Sequence, residues 1–131
     1  MIYYQREYQE FETIKEQLLF KKIVAWTEDS LTLDDGTVVK IEESEQDCCA
    51  IAGGEFKDVV LDAVITDIKL GEETTEHQYL DETENYVTVT IFHNQNPIAL
   101  AECSANDGNG GYYYSVCSLV VKNVHYKVVE A

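Results

Sequence analysis

Leu31-Thr32-Leu33-Asp34-Asp35-Gly36-Thr37-Val38-Val39-Lys40-Ile41 decides how the rest of the chain is read. Two runs of β-forming residues flank Asp35-Gly36, and glycine supplies the positive φ that a tight turn between antiparallel strands requires. The stretch therefore predicts a β-hairpin. Outward from it a period of two persists, through Lys22–Thr27 before the hairpin and Val64–Leu70, Tyr86–Phe92, Ile98–Cys103, Tyr112–Val121 and Tyr126–Val129 after it. Val59-Val60-Leu61 is further strand material. Cys48-Cys49-Ala50-Ile51-Ala52, ending at Gly53-Gly54, has the pattern of one short helix stopped by glycine.

The first segment has a different period. Tyr4, Tyr8, Phe11, Ile14 and Leu18 recur at three- and four-residue steps, with Glu7, Glu10, Glu12 and Glu16 between them. Lys21 and Lys22 follow, where cations suit the negative end of a helix dipole. This predicts an N-terminal helix over residues 1–21. The chain of 131 residues then reads as one domain, 1–131, of the α+β class and mainly β. The helix packs on an antiparallel sheet, β-sandwich or roll of about seven short strands in a β-rich core, 22–131.

Composition narrows the function. No stretch approaches the roughly 20 apolar residues that span a bilayer, and the first residues lack a basic region followed by an apolar one, so no secretory signal is expected. A cytoplasmic location, no membrane partner and free thiols follow as expectations. The net charge is −16, and its distribution is uneven. Residues 1–27 carry four acids and four bases, whereas residues 28–84 carry 18 acids against three lysines. Such a field repels nucleic acid and attracts basic partners.

Leu31–Val39, then Asp47-Cys48-Cys49, then Ile65-Thr66-Asp67, and Asn106-Asp107-Gly108-Asn109-Gly110-Gly111-Tyr112-Tyr113-Tyr114 together resemble an uncharacterised domain family frequent in bacteriophage genomes. The Asp-Cys-Cys and Gly-Gly-Tyr-Tyr motifs carry the resemblance, which covers about residues 22–122. It implies a phage or prophage origin, with the host bacterial cell as the compartment, and no particular activity.

Enzymatic and metal readings find little purchase. Adjacent cysteines in a strand point to opposite faces and chelate poorly. Cys103 and Cys117 flank the glycine-rich loop, either facing each other across a hairpin or filling core as small apolar residues. His77, His93 and His125 have no nucleophile motif around them. Gly108-Asn109-Gly110-Gly111 is followed by tyrosines and a strand rather than by a helix with a phosphate-binding Lys, so it reads as a turn. No catalytic residue, metal site or cofactor is expected.

The expected function is binding. Carboxylates on alternate strand residues stand about 6.7 Å apart on one face, and adjacent strands can lay out an array comparable with DNA, which carries one charge per about 1.7 Å of axis. The expected partner site is Glu72, Glu73, Glu76, Asp81, Glu82 and Glu84, then Glu42, Glu43, Glu45 and Asp47, with Tyr112, Tyr113 and Tyr114 as interface anchors. The leading expectation is a phage-encoded inhibitor of a host nucleic-acid-dependent defence enzyme. Such an anti-CRISPR protein would occupy a basic DNA-binding cleft as a nucleic-acid mimic, without touching nucleic acid itself. One alternative is a small phage structural or accessory module whose acidity serves solubility. The other is a metal protein or enzyme built on the Asp-Cys-Cys region.

Overall fold

The computed structural model describes residues 6–77, 82–108 and 111–131. The hairpin forms as its turn chemistry dictates. β2 (Ser30–Leu33) and β3 (Val38–Gln46) pair antiparallel with Leu31 opposite Val39, and Gly36 takes φ 89° in the turn. β1 (Ile23–Trp26) extends this sheet on one side, and β9 (Ser115–Val121) and β10 (Val124–Glu130) extend it on the other. The strand order is β1-β2-β3-β9-β10.

The second sheet holds β4 (Ala52–Lys57), β8 (Asn96–Asn106), β7 (Thr83–His93) and β5 (Asp67–Leu70) in the order β4-β8-β7-β5. β6 (Thr74–His77) pairs with β7 beyond β5. All these strand pairs are antiparallel. The described residues thus contain ten strands rather than about seven. The two inner faces bury Ile23, Leu31, Leu33, Val39, Ile41, Leu119 and Val121 against Phe56, Ile68, Val87, Val89 and Ile91. Along β2, the first half of β3 and the middle of β7 these alternate with more exposed residues, the signature of stacked antiparallel sheets, whereas β9 is buried at every position.

Several expected elements are corrected. The N-terminal helix expected over 1–21 is absent from residues 6–10, and residues 1–5, Tyr4 among them, lie outside the described residues. One 3₁₀ turn, Phe11–Ile14, continues into a single α-helical turn, α1 (Lys15–Leu18), and Phe20 at φ 70° ends it. Ile14 and Leu18 are fully buried, so the apolar stripe does reach the core. Residues 6–10 run as a strap instead, with Gln9 bridged in parallel to Tyr126. Bonds to the sheet hold the strap where helix propensity alone would coil it: Arg6 Nε donates to Ser44 O at 3.1 Å, and the Tyr8 hydroxyl donates to Glu45.

Cys48–Ala52 is a turn followed by a strand, not a helix. Gly53 and Gly54 lie inside β4, and a Cβ at Gly54 would stand 2.3 Å from Glu102 O, so glycine there permits close strand pairing. Val59–Leu61 is likewise a connection, not a strand, between Asp58 and Asp62 at φ 52° and 67°. Val64–Leu70 shortens to β5, and Tyr112–Tyr114 precede β9 instead of opening it.

Candidate partner-binding face

The outer face of the second sheet is read most simply as rows across its strands. Val87, Val89, Ile91, Ala101, Cys103 and Phe56 point inward and are buried, so their neighbours one residue away point outward. Register then sets the rows. Lys57, Leu100, Thr90 and Lys69 form the first. Glu55, Glu102 and Thr88 form the second. Gly53, Ser104, Tyr86 and Thr74 form the third, which carries three hydroxyls, and Asn106, Glu84 and Glu76 form the fourth.

Two of these rows place carboxylates directly opposite each other, Glu55 beside Glu102 and Glu84 beside Glu76. Facing side chains on an antiparallel pair have Cβ atoms about 4.5–5.5 Å apart, where like charges destabilise. The two carboxylate rows are four residues apart along the strands, about 13 Å. Tyr86 stands between them, its hydroxyl donating to Glu76 Oε2 at 3.5 Å. Burial, then the neighbouring Glu84 and Glu76, push that phenol above its ordinary pKa. Lys57, from the first row, is ion-paired with Glu102 of the second, and Lys69 lies over the Phe92 ring at 5.6 Å.

Glu28 joins the face from the β1–β2 connection, where its carbonyl accepts the Phe56 N–H at 2.7 Å. With Glu55, Glu102, Tyr86, Thr88 and Ser104 it lines a shallow depression of about 430 Å³. A depression of similar size, about 450 Å³, lies on the first sheet, but Asp35 and Glu42 there are matched by Lys40 and Lys122. Only the former is one-signed among its charged lining residues.

The expected acidic residues separate into two groups. Glu72 and Glu73 are exposed in the connection leading to β6, beside Glu76, while half-buried Glu82 lies just before β7 and half-buried Glu84 within it. These five border or belong to the carboxylate face. Asp81 lies outside the described residues, as do Asn109 and Gly110 of the glycine-rich loop. Glu42, Glu43, Glu45 and Asp47 lie on the first sheet or just past it, so the ten carboxylates do not share one face. Glu43 Oε2 accepts the Ala52 N–H at 2.9 Å, a structural duty between the sheets. Glu45 is similarly occupied, accepting from the hydroxyls of Tyr8 and Tyr114.

Tyr112, Tyr113 and Tyr114 gather with Asp47 at one end of the sandwich, where the Asp47 N–H donates to Tyr114 O at 2.9 Å. Tyr112 is 87% exposed. Glu28, Glu55, Glu102 and Tyr86 were not among the expected site residues. The outward position of Tyr86 and Thr88 was readable from Tyr86-Val87-Thr88-Val89-Thr90, whereas Glu55 needed Ala52–Lys57 to be recognised as a strand.

The remaining candidate chemistry is structural in placement. His93 Nδ1 lies 2.8 Å from Val64 O, and His125 Nδ1 lies 2.7 Å from Ser44 Oγ. Burial and the nearby Arg6 guanidinium hold His125 below its ordinary pKa. Cys103 and Cys117 do not sit across a hairpin. They belong to different sheets and meet in the core, where that contact and burial push the Cys117 thiol up. Among the described residues, no three His, Cys, Asp or Glu side chains converge as a metal-binding group. No helix among them is long and apolar enough to cross a membrane.

The fold and this surface define a two-sheet antiparallel β-sandwich that displays opposed carboxylates on one sheet. The chain belongs to the family described as a domain of unknown function, DUF7448, whose model matches residues 16–120. That span runs from the helical turn through nearly all of β9 and leaves the strap and β10 outside. No curated protein and no solved structure matches the chain.

Proposed function

We propose that this protein acts by binding, not catalysis, and that the outer face of the second sheet docks into a basic, nucleic-acid-binding cleft of another protein. The observation that carries this reading is the pair of opposed carboxylate rows, Glu55 with Glu102 and Glu84 with Glu76. Like-charge pairs directly across strands cost stability, and a cationic partner surface removes that cost on docking. The hydroxyls of Ser104, Tyr86 and Thr74 between the rows add neutral hydrogen-bonding groups, as sugar oxygens do between phosphates. Glu72, Glu73, Glu82 and Glu28 widen the negative field that steers association.

The resemblance to a phage-associated family directs the same reading toward a host nucleic-acid-dependent defence enzyme, a CRISPR effector being one such enzyme, with the protein as inhibitor. The test is capture from bacterial lysate by the wild-type chain and by a Glu55→Lys, Glu76→Lys, Glu84→Lys, Glu102→Lys variant. Wild type should retain nucleic-acid-binding proteins at low salt and release them at high salt, while the variant retains none of them. Retention of the same proteins by both chains would refute the assignment of the face. Self-association alone, with no protein captured, would favour a structural module whose acidity serves solubility.

A further inference from the structure

The turn between β3 and β4 brings two thiols together in a way that a strand would forbid. The Ala50 N–H donates to Asp47 O at 2.9 Å, closing a four-residue turn with Cys48 and Cys49 at its two central positions. Their Sγ atoms converge to 2.9 Å, and both residues are exposed. The other two cysteines, Cys103 and Cys117, are buried in the core. The turn is also held from one side. A Cβ placed on Gly108 would stand 3.1 Å from the Cys49 carbonyl carbon and 2.9 Å from the Tyr113 ring.

We propose that Cys48 and Cys49 are a reversible redox modification site, closing to a vicinal disulfide with a low-molecular-weight disulfide and reopening with the corresponding thiol. In closing, one cysteine thiolate attacks the oxidant's disulfide, forms a mixed disulfide and expels one small thiolate. The second cysteine then attacks the protein sulfur of that mixed disulfide and expels the other small thiolate. One Sγ–Sγ bond forms and one oxidant S–S bond breaks. Two electrons pass to the oxidant, and the two thiol protons end on the two released thiols.

Geometry favours both directions. The second step is intramolecular between sulfurs already in contact, so little rearrangement is needed. Adjacent Cα atoms across a trans peptide are about 3.8 Å apart, shorter than the roughly 4.4–6.8 Å that relaxed disulfides span, and the strained bond is correspondingly easy to reduce. Exposed, strained disulfides are the labile and regulatory kind. The bond with Cys48, and then burial, hold the Cys49 thiol above its ordinary pKa, so closure should quicken as pH rises toward alkaline values.

The experiment equilibrates the reduced, full chain across ratios of oxidised to reduced glutathione, quenches with acid, alkylates under denaturing conditions and digests with trypsin. Peptide 41–57 contains Cys48 and Cys49 alone, and peptide 70–122 contains Cys103 and Cys117. Peptide 41–57 should escape alkylation in oxidising mixtures, weigh about 2 Da less than its reduced form, and recover both thiols on adding reduced glutathione. Peptide 70–122 should take two alkyl groups throughout. Phenylarsine oxide should bind wild type at one equivalent per chain, and Cys48→Ser should abolish both that binding and the mass loss. Two alkyl groups on peptide 41–57 at every ratio, or oxidation yielding only glutathione adducts or cross-linked chains, would overturn the proposal.

Discussion

Glu55→Lys should make the protein more stable and at the same time weaken its binding. Glu55 lies directly opposite Glu102 in the β4–β8 ladder. Two unit charges about 6 Å apart interact by about 0.7 kcal/mol in water, and screening at 0.15 M salt leaves about half of that. Reversing one charge turns that repulsion into an attraction of similar size, so the swing is about 0.7 kcal/mol, within the range measured for cross-strand pairs. For a chain of 131 residues, an unfolding entropy of about 2.1 cal/mol/K per residue converts this to a Tm increase of about 2–3 °C. Existing pairing of Glu102 with Lys57 places the gain toward the lower end. At 1 M salt, where the Debye length is about 3 Å, the gain should shrink below about 1 °C. Thermal melts followed by circular dichroism at the two salt concentrations measure both numbers. A Tm that falls, or a gain indifferent to salt, would refute the claim that opposed carboxylates strain this face.

The other predictions concern what holds the face in place. Ile91→Ala, at a fully buried position opposite Ile68 and Ala99, should cost about 2–5 kcal/mol, read as a lower urea midpoint with an unchanged m-value. Gly54→Ala should cost about 1–3 kcal/mol by forcing a Cβ into the β8 backbone, whereas Gly53→Ala, with nothing within 4 Å of the added atom, should change the urea midpoint by under about 0.5 kcal/mol equivalent. The Arg6–Gln9 strap should be held best between about pH 6.5 and 10. Burial and Arg6 depress His125, so its contribution is present above the unfolded value and fades as pH falls. Glu45 acts in the same direction at lower pH: burial alone would raise its carboxyl, but bonds from Tyr8, the Arg6 N–H and Tyr114 outweigh burial and lower it. Tyr8 is raised by burial and by its bond to Glu45, so its contribution is present below the unfolded phenol pKa and fades as pH rises past it. Hydrogen exchange of the Gln9 amide, bonded to His125 O at 3.0 Å, should show protection lost at both extremes beyond the intrinsic pH dependence of exchange.

The Asp-Gly hairpin was legible because its signal is local: one glycine conformation and a few β-formers determine the turn. Period-two alternation was equally readable in Tyr86–Phe92, which became the centre of β7. The first segment misled because periodicity reports which residues are apolar on one side, not how far a helix runs. Ile14 and Leu18 are buried as the pattern requires, yet Tyr8 and Arg6 find better partners on the sheet than in a helix. Gly53-Gly54 resembled a helix stop because a glycine that ends a helix and one that lets two strands approach closely look identical in sequence. The site was the least legible part. Glu55 and Glu102 are far apart in the chain and meet only through the register of β4 on β8, while Glu43 and Glu45, close to Asp47 in the chain, are committed to the Ala52 N–H and to two tyrosines. A run of acids along a chain counts charge. Only strand register says which charges face the same way.

The most direct measurement is a competition between this protein and duplex DNA for a partner captured from lysate, followed by partner-bound DNA fluorescence anisotropy across a salt series. Binding should be mutually exclusive, with DNA displaced in proportion to added protein and displacement lost as salt rises or when Glu55, Glu76, Glu84 and Glu102 are reversed together. A stable complex holding partner, DNA and protein at once, or displacement unchanged in the reversed variant, would contradict it.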